Sequence, residues 1–190
     1  GSAIKYVKTI ASVPLLWAAT YTLDKDHTTV AFKVRHLFSK VEGTFNDFQG
    51  AFTYEPGQPE PWKAQATIQA ESIDTRVAER DKHLRSPDFL DVAQHPTITF
   101  DTTTFTDVTE TGANVHGLLT IHGVQQPVVL HLTIHGEGKD PWGNVRLGFT
   151  ATTKINRKDF GVTWNKALET GQLLVGEELD VIIEGEGIRQ

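Results

Sequence analysis

RDKHLRSPDFLDVAQHPTITF, residues 80–100, is the one stretch of this chain in which charge, helix signals and a strand signal come together. Pro87 and Pro96 bound a short helical piece, because proline interrupts helices and restricts the residue before it. After Pro96 the pattern TITF is that of a strand. The stretch therefore predicts a short helical insertion, around residues 76–92, in a chain that otherwise reads as strands.

Most of the remaining chain alternates apolar and polar residues with a period of two, which is typical of half-buried strands. Val30, Phe32 and Val34, for example, share one face of a predicted strand. The alternation recurs about eight times at regular spacing, mostly with short turns between, which predicts an all-β sandwich or antiparallel barrel. Small residues on the inward faces, such as Ala66 and Gly117, leave room for an apolar cavity.

Composition limits the classes of protein and of site. A chain of 190 residues can bury one sizeable core, so we expect a single domain with a short arm. Its formal net charge is −6, which argues against nucleic acid as the partner because phosphate neutralisation needs clustered lysines and arginines. The lack of cysteine excludes disulfides, thiolate metal sites and a cysteine nucleophile.

Residues 1–20 are interpreted as an N-terminal arm, and residues 21–190 as the strand-rich domain. Gly1-Ser2 is typical of a cloning scar, and two lysines precede the apolar run IASVPLLWAA, as in a signal peptide. We expect the arm to pack its apolar residues on the domain. A retained signal remnant and a linker from a larger protein are the alternatives.

The histidines and acidic residues do not form a familiar metal or catalytic motif. His131 and His135 share a strand face, but they are too far apart to chelate an ion without a third element. We expect no metal and no cofactor. Asp81 with His83 is the best acid–base cluster and would fit a hydrolase or isomerase, whereas a salt-bridged helix start is the simpler interpretation. Trp62 and Trp142, in predicted loops, would fit a carbohydrate-binding module.

Eight short motifs, in their order along the chain, resemble the YceI family of lipocalin-like, polyisoprenoid-binding proteins. Thr28 stands where the family usually has serine. The motifs are DKDH (24–27), VAFKVRH (30–36), GTFNDFQG (43–50), SIDT (72–75), RDKHLRSPDFLDV (80–92), HPTITF (95–100), GLLTIHGVQQPV (117–128) and RKDFG (157–161).

The resemblance implies an eight-stranded antiparallel, lipocalin-like barrel whose lumen holds a long isoprenoid chain, with the polar head near the mouth. It implies no catalytic residues, so we expect binding, shielding or transport of a polyisoprenoid, either a prenyl pyrophosphate or a prenyl quinone, without turnover. A homodimer and transient membrane contact during ligand exchange are compatible with this role. Family members occur with and without export signals, so both periplasmic or secreted and cytoplasmic locations stay open.

The expected ligand-binding residues form a lumen group and a mouth group. The helical insertion is expected to act as a lid, with Leu84, Phe89 and Leu90 closing one end of the barrel. The lumen group is Phe32, Val34, Phe45, Phe52, Ile68, Phe100, Leu119, Ile121, Phe149 and Phe160, and the mouth group is His27, Arg80, His83 and Arg85.

Overall fold

The computed structural model describes residues 18–190, and in this range the chain is predominantly β-structure. The predicted arm lies outside the described residues except for its last three positions, and the first strand already begins at Ala19. The strands are β1 (Ala19–Leu23), β2 (Thr29–His36), β3 (Ser39–Phe45), β4 (Phe48–Tyr54), β5 (Lys63–Gln69), β6 (Ile73–Asp74), β7 (Thr97–Thr106), β8 (Gly112–Ile121), β9 (Val124–Lys139), β10 (Val145–Asn156) and β11 (Val175–Arg189). The α-helix is α1 (Ala78–Arg85), and short 3-10 turns cover Lys25–His27, Ala70–Ser72 and Arg157–Phe160.

The sheet closes into a barrel because the last strand of the order, β11, pairs with its neighbour β10 on one side and with the first strand, β1, on the other. That order is β1-β4-β5-β7-β8-β9-β10-β11, and β1 pairs back with β11. β2 also pairs with β11, and β3 pairs with β2, so β1 with β2 and β3 with β4 act as two interrupted barrel strands. The barrel therefore has eight antiparallel strand positions, which confirms the predicted fold class.

Alternation along the strands builds the apolar interior. Residues directly opposite each other on paired strands point to the same face. Phe32 of β2 lies opposite Gly43 of β3 on one side and Val181 of β11 on the other, and all three point inward. Because the side-chain period is two, the intervening Lys33 points outward and is exposed.

The helix α1 is held mainly by polar contacts, since Asp81 is its buried residue. The Asp81 carboxylate accepts hydrogen bonds from the backbone N–H of Thr75, at 2.9 Å, and from the Thr75 hydroxyl. The helix ends at Arg85, and the Ser86 hydroxyl then donates to the His83 carbonyl at 2.6 Å. α1 therefore confirms the predicted helical insertion, but the helix lies before Pro87, and the piece between Pro87 and Pro96, predicted to be helical, forms turns. Within residues 18–190, no helix is long and apolar enough to span a membrane.

A buried arginine fixes the segment that follows β10. Arg157 is 6% exposed, and its guanidinium donates to the carbonyls of Val162 (2.9 Å), Trp164 (2.8 Å) and Gly176 (2.8 Å). Burial lowers the pKa of Arg157 from its ordinary value. The arginine thereby satisfies backbone acceptors that no neighbouring strand reaches, and it holds Trp164 in place beside the helical insertion.

Candidate functional site

An apolar cavity of about 150 Å³ lies inside the barrel. All eight strand positions contribute to its walls, so the cavity is a property of the closed barrel and not of one loop. The inward-facing side chains that line it are Leu23, Phe52, Tyr54, Trp62, Ala64, Ala66, Phe100, Phe105, Val115, Leu130, Leu132, Ile134, Leu147, Phe149, Ala151 and Ile183.

The cavity occupies the half of the barrel away from α1, which we call the far half. Tyr54 and Phe105 lie at or next to strand ends on that side. The opposite ends, at Gln69 and Thr97, meet the segment that carries α1, and we call that side the helix half. Among the described residues, none from α1 lines the cavity. The lid predicted from the sequence is therefore at the other end of the barrel from the open space.

Phe52 and Phe149 line one wall of the cavity, and Tyr21 stacks on Phe52 outside the lining. Tyr21 and Phe52 stack with centroids 5.0 Å apart, and Phe52 meets Phe149 edge-on at 5.8 Å. The Phe52 ring also covers Gly187: a Cβ at that glycine would lie 2.5 Å from Phe52 Cζ. Because Gly187 has no side chain, the Phe52 ring can pack directly on the backbone of β11.

A second aromatic group consists of Tyr54 at the end of β4, Trp62 just before β5, and Phe100 and Phe105 of β7. Trp62 contacts Tyr54, with centroids 5.0 Å apart, and Phe105 at 5.5 Å. Phe100 covers Gly117 in the same way that Phe52 covers Gly187, with the Cβ position 2.5 Å from Phe100 Cζ. Aromatic side chains thus occupy much of the lumen.

The far half carries polar groups on its inward face: Tyr54, which lines the cavity, and Tyr21, Glu137 and Arg189, which lie outside the lining. Burial raises the pKa of Tyr21 to about 12, and the negative charge of Glu137 adds to this effect. Burial also raises the pKa of Tyr54, again with a contribution from Glu137. Arg189 Nη1 lies 3.7 Å from Glu137 Oε1. Both tyrosine hydroxyls therefore stay protonated at neutral pH and can donate hydrogen bonds beside an otherwise apolar space.

The lumen residues predicted from the sequence divide between the two halves. The register places the nine that lie on strands on the inward face, and Phe52, Phe100 and Phe149 line the cavity. Phe160 is buried in the 3-10 turn after β10. The others lie toward the helix half, away from the cavity walls, and their contact with a ligand stays a prediction: Phe32, Val34, Phe45, Ile68, Leu119 and Ile121.

Two of the predicted mouth residues are engaged with the protein backbone. Arg80 donates to the Thr75 carbonyl at 2.7 Å and to the Thr75 hydroxyl at 2.8 Å. Arg85 donates to the Glu71 carbonyl at 2.7 Å and to the Ile73 carbonyl at 3.1 Å. These arginines attach α1 to the segment before it, and they lie in the helix half.

His83 also belongs to the helical insertion. Its Nε2 lies 2.8 Å from Asp88 Oδ2, and its ring packs edge-on against Phe89 and Trp164 with centroids 5.0 and 4.9 Å away. Within the described part of the chain, no hydrogen bond joins His83 to Asp81, whose carboxylate is bonded to Thr75 instead. The geometry does not assemble these two residues as an acid–base pair.

His27, the fourth predicted mouth residue, is exposed and lies in an ionic network on the outside of the barrel. Its Nδ1 is 2.7 Å from Asp24 Oδ2, and Arg146 binds the same carboxylate oxygen. Arg146 also contacts Asp140 at 2.8 Å and Glu186 at 3.0 Å. The bond from Arg146 lowers the pKa of Asp24 and holds the pKa of Asp140 at about 2. Asp24, His27 and Glu186 lie close enough together to hold a metal ion, but the Arg146 guanidinium already neutralises this cluster.

The two tryptophans considered for carbohydrate binding have different environments. Trp62 is 7% exposed, lines the cavity, and donates from Nε1 to the Glu55 carbonyl at 2.7 Å. Trp142 is 82% exposed in the turn between β9 and β10. The two rings do not form a common sugar-stacking face.

Several residues that line the cavity lie outside the predicted lumen group. Trp62 lies in the loop before β5, as predicted, but its ring borders the cavity, as does Tyr54 at the end of β4. Leu130, Leu132 and Ile134 alternate along β9 in the same way as the residues that were selected, so the period-two pattern could have identified them.

A closed antiparallel barrel whose interior holds an apolar cavity, with polar groups beside it at one end, defines the class of lipocalin-like ligand-binding barrels. The chemistry available in the cavity is apolar contact and hydrogen bonding.

The chain belongs to the YceI-like domain family, which it matches over residues 21–187. A UPF0312 protein of Azotobacter vinelandii is 44% identical over 176 residues, covering 91% of this chain and 88% of the relative. A UPF0312 protein of Pectobacterium carotovorum is 43% identical over 189 residues, covering 97% and 94%.

Solved structures share the fold. A YCEI protein of Campylobacter jejuni is 32% identical, with a TM-score of 0.69 over 90% of this chain and 98% of that one. BcnA of Burkholderia cenocepacia is 22% identical, with a TM-score of 0.76 over 86% and 98%. A polyisoprenoid binding domain of Saccharophagus degradans, implicated in plant cell wall breakdown, is 16% identical, with a TM-score of 0.69 over 90% and 98%.

Proposed function

We propose that this protein binds a long-chain polyisoprenoid lipid in the barrel lumen and shields or transports it without turnover. The apolar cavity, to which every strand position contributes, is the observation that carries this proposal. Membership of the YceI-like family and the polyisoprenoid-binding activity stated for the Saccharophagus degradans domain support the class of ligand.

The size of the cavity indicates how such a ligand would be accommodated. About 150 Å³ is the liquid volume of roughly five waters at ~30 Å³ each, and sites for drug-sized ligands measure ~300–1,000 Å³. A polyisoprenoid therefore requires an expanded lumen. Phe52 and Phe100 are the side chains to move, because each lies over a glycine and borders the cavity.

The energetics leave room for this rearrangement. At about 0.8 kcal/mol per buried CH₂, a tail of roughly forty carbons would nominally exceed the ~18–21 kcal/mol ceiling of non-covalent affinity. Ordering of the tail and displacement of aromatic rings offset part of that gain. The protein then recognises the length and shape of the isoprenoid tail, so the ligand can carry either a pyrophosphate or a quinone head.

The polar groups of the far half favour one orientation of the ligand. In this orientation the tail fills the lumen and the head lies near Tyr54 and Arg189, which can supply a hydroxyl donor and a cation. The orientation expected from the sequence, with the head beside His83, would place the head at the other end of the barrel. Arg189→Gln should weaken binding of a prenyl pyrophosphate more than His83→Gln does, and the reverse result would favour the helix half.

The function is tested by extracting purified protein under denaturing conditions and identifying released lipids by mass spectrometry. We expect a polyisoprenoid, recovered unchanged after long incubation, and a rise in melting temperature when a prenyl lipid is added to stripped protein. Absence of both results would refute the proposal. A product that accumulates with the wild type but not with Asp81→Asn would show turnover and would contradict a pure binding role.

A further inference from the structure

A cluster of metal-ligating side chains lies in the helix half, apart from the cavity. Asp91, His95 and His122 each present a donor atom, and these three atoms all lie within 4.8 Å of one another. Asp91 and His95 belong to the segment between α1 and β7, and His122 belongs to the turn between β8 and β9. The imidazole rings of His95 and His122 have centroids 4.9 Å apart. Two separate parts of the chain thus bring together two imidazoles and one carboxylate.

The backbone holds these donors in uncommon conformations. Asp91 has φ 48° and His122 has φ 55°, both in the left-handed region that few residues other than glycine adopt. The His95 N–H donates to the Asp91 carbonyl at 2.9 Å, so one turn of chain places their side chains together. His122 and Gly123 form the two-residue β8–β9 turn, in which both residues have positive φ.

Close packing on a glycine positions the His95 ring, and a hydrogen bond positions the His122 ring. A Cβ at Gly123 would lie 2.8 Å from His95 Cε1 and Nδ1, so glycine is needed for the ring to approach the turn. His122 Nδ1 lies 3.2 Å from the Phe160 carbonyl, to which it can donate. That hydrogen bond leaves His122 Nε2 as the free lone pair. Metal-binding histidines are usually oriented in this way, by donating their other ring N–H to a carbonyl or carboxylate.

The donor atoms of this cluster have no competing partners among the described residues. Within residues 18–190, the Asp91 carboxylate and the His95 ring make no side-chain hydrogen bond, and neither is paired with a lysine or arginine. Each unpartnered atom remains in contact with solvent, because no buried polar side-chain atom in this range lacks a partner. The cluster around Asp24 differs, since Arg146 neutralises it.

We propose that Asp91, His95 and His122 bind a divalent transition-metal ion of the Zn²⁺ class. Imidazole and carboxylate are suitable ligands for Zn²⁺ at ~2.0–2.2 Å, which places tetrahedral ligand atoms roughly 3.3–3.6 Å apart. Small side-chain rotations bring the present atoms to that separation. Three protein ligands leave a fourth position for water. The ion joins the segment after α1 to the β8–β9 turn and thereby attaches the helical insertion to the barrel.

Two substitutions remove a ligand while retaining the backbone. Asp91→Asn and His122→Asn suit the left-handed conformation, and asparagine is a preferred residue of the β8–β9 type of turn. His131→Asn is the matched control, because His131 is exposed on β9 and lies outside the cluster. Tag-free protein, treated with EDTA and dialysed, is titrated with ZnCl₂ by calorimetry, and folding is checked by circular dichroism.

We expect the wild type to bind one Zn²⁺, with a higher melting temperature in its presence. Asp91→Asn and His122→Asn should each weaken the affinity by at least about tenfold, since loss even of a supporting residue costs a metal site ~10–100-fold. His131→Asn should bind as the wild type does. Lack of Zn²⁺ binding by the wild type, wild-type affinity in either ligand variant, or an equal loss in His131→Asn would overturn the proposal.

Discussion

Ala66→Leu is the most direct test of ligand binding in the lumen. Ala66 lies on β5 between Gly50 of β4 and Phe100 of β7, and its methyl group borders the cavity. Leucine adds three carbon groups at this point. If each occupies about as much volume as a water molecule, ~30 Å³, the new side chain removes roughly 90 Å³. More than half of the present cavity, about 150 Å³, would be filled.

The expected loss of affinity follows from the apolar groups that the ligand can no longer bury. Excluding three CH₂ groups at ~0.8 kcal/mol each removes about 2.4 kcal/mol, which corresponds to roughly 50-fold in Kd. Stability should change far less. The leucine buries its own added carbons, and strain from overpacking of ~1–3 kcal/mol offsets that gain, so we expect a net change within about 1 kcal/mol.

The assay compares Ala66→Leu with Thr67→Leu, its neighbour on β5 that points to the outer face. Binding of a prenyl alcohol is followed by tryptophan fluorescence, because Trp62 borders the cavity. Urea unfolding of both variants measures stability separately. Wild-type affinity in Ala66→Leu, or an equal loss in Thr67→Leu, would refute binding in the lumen.

Three further substitutions test the helical insertion, the buried Arg157 and the ionic network of Arg146. A polyisoprenoid that extends the expanded lumen into the helix half would meet Phe89, which packs on Trp164 at 5.1 Å, so Phe89→Ala should speed ligand release while leaving strand content unchanged. An unchanged release rate would contradict the lid hypothesis. Arg157→Met should lower the free energy of unfolding, measured in urea, by about 3–5 kcal/mol, because several carbonyls lose their buried, charged donor. A loss below about 1 kcal/mol would show that Arg157 does not stabilise this segment. Arg146→Gln should lower the melting temperature more at pH 6 than at pH 2. The pKa of Asp140, about 2, lies below its unfolded value, so the stabilisation is present above about pH 4 and is lost as pH falls toward 2. An equal drop in melting temperature at both pH values would contradict this role of the ion pair between Asp140 and Arg146.

The fold class could be predicted because the alternation of apolar and polar residues along a strand indicates which of its two faces is buried. Val30, Phe32 and Val34 illustrate this, and the register places all three on the inward face. Pro87 ends the helical segment for a reason that is purely local. Strand faces and helix ends can therefore be predicted from nearby residues alone, without knowing which strands pair.

The position of the cavity could not be predicted, because it depends on how the strands are staggered when the sheet closes. Phe45 and Phe52 both point inward, yet Phe52 borders the open space and Phe45 packs against Phe32 in the helix half. The hydrogen-bond partners of Arg80 could not be predicted from sequence patterns either. Its guanidinium donates to the backbone carbonyl and the side-chain hydroxyl of Thr75, and a charged side chain near a predicted mouth gives no sign of such contacts.

Closure by β11 has a consequence for how this chain reaches its native state. Thr28 and Glu186 bond to each other across a sequence separation of 158 residues, and β11 supplies the partner for both β1 and β2. High contact order of this kind slows folding, because the entropy of ordering the intervening chain is lost before the pairing is gained. Until β11 arrives, β1 and β2 present an unpaired edge that is prone to intermolecular aggregation. Protection during synthesis, and not the final stability, would then limit the yield of this barrel.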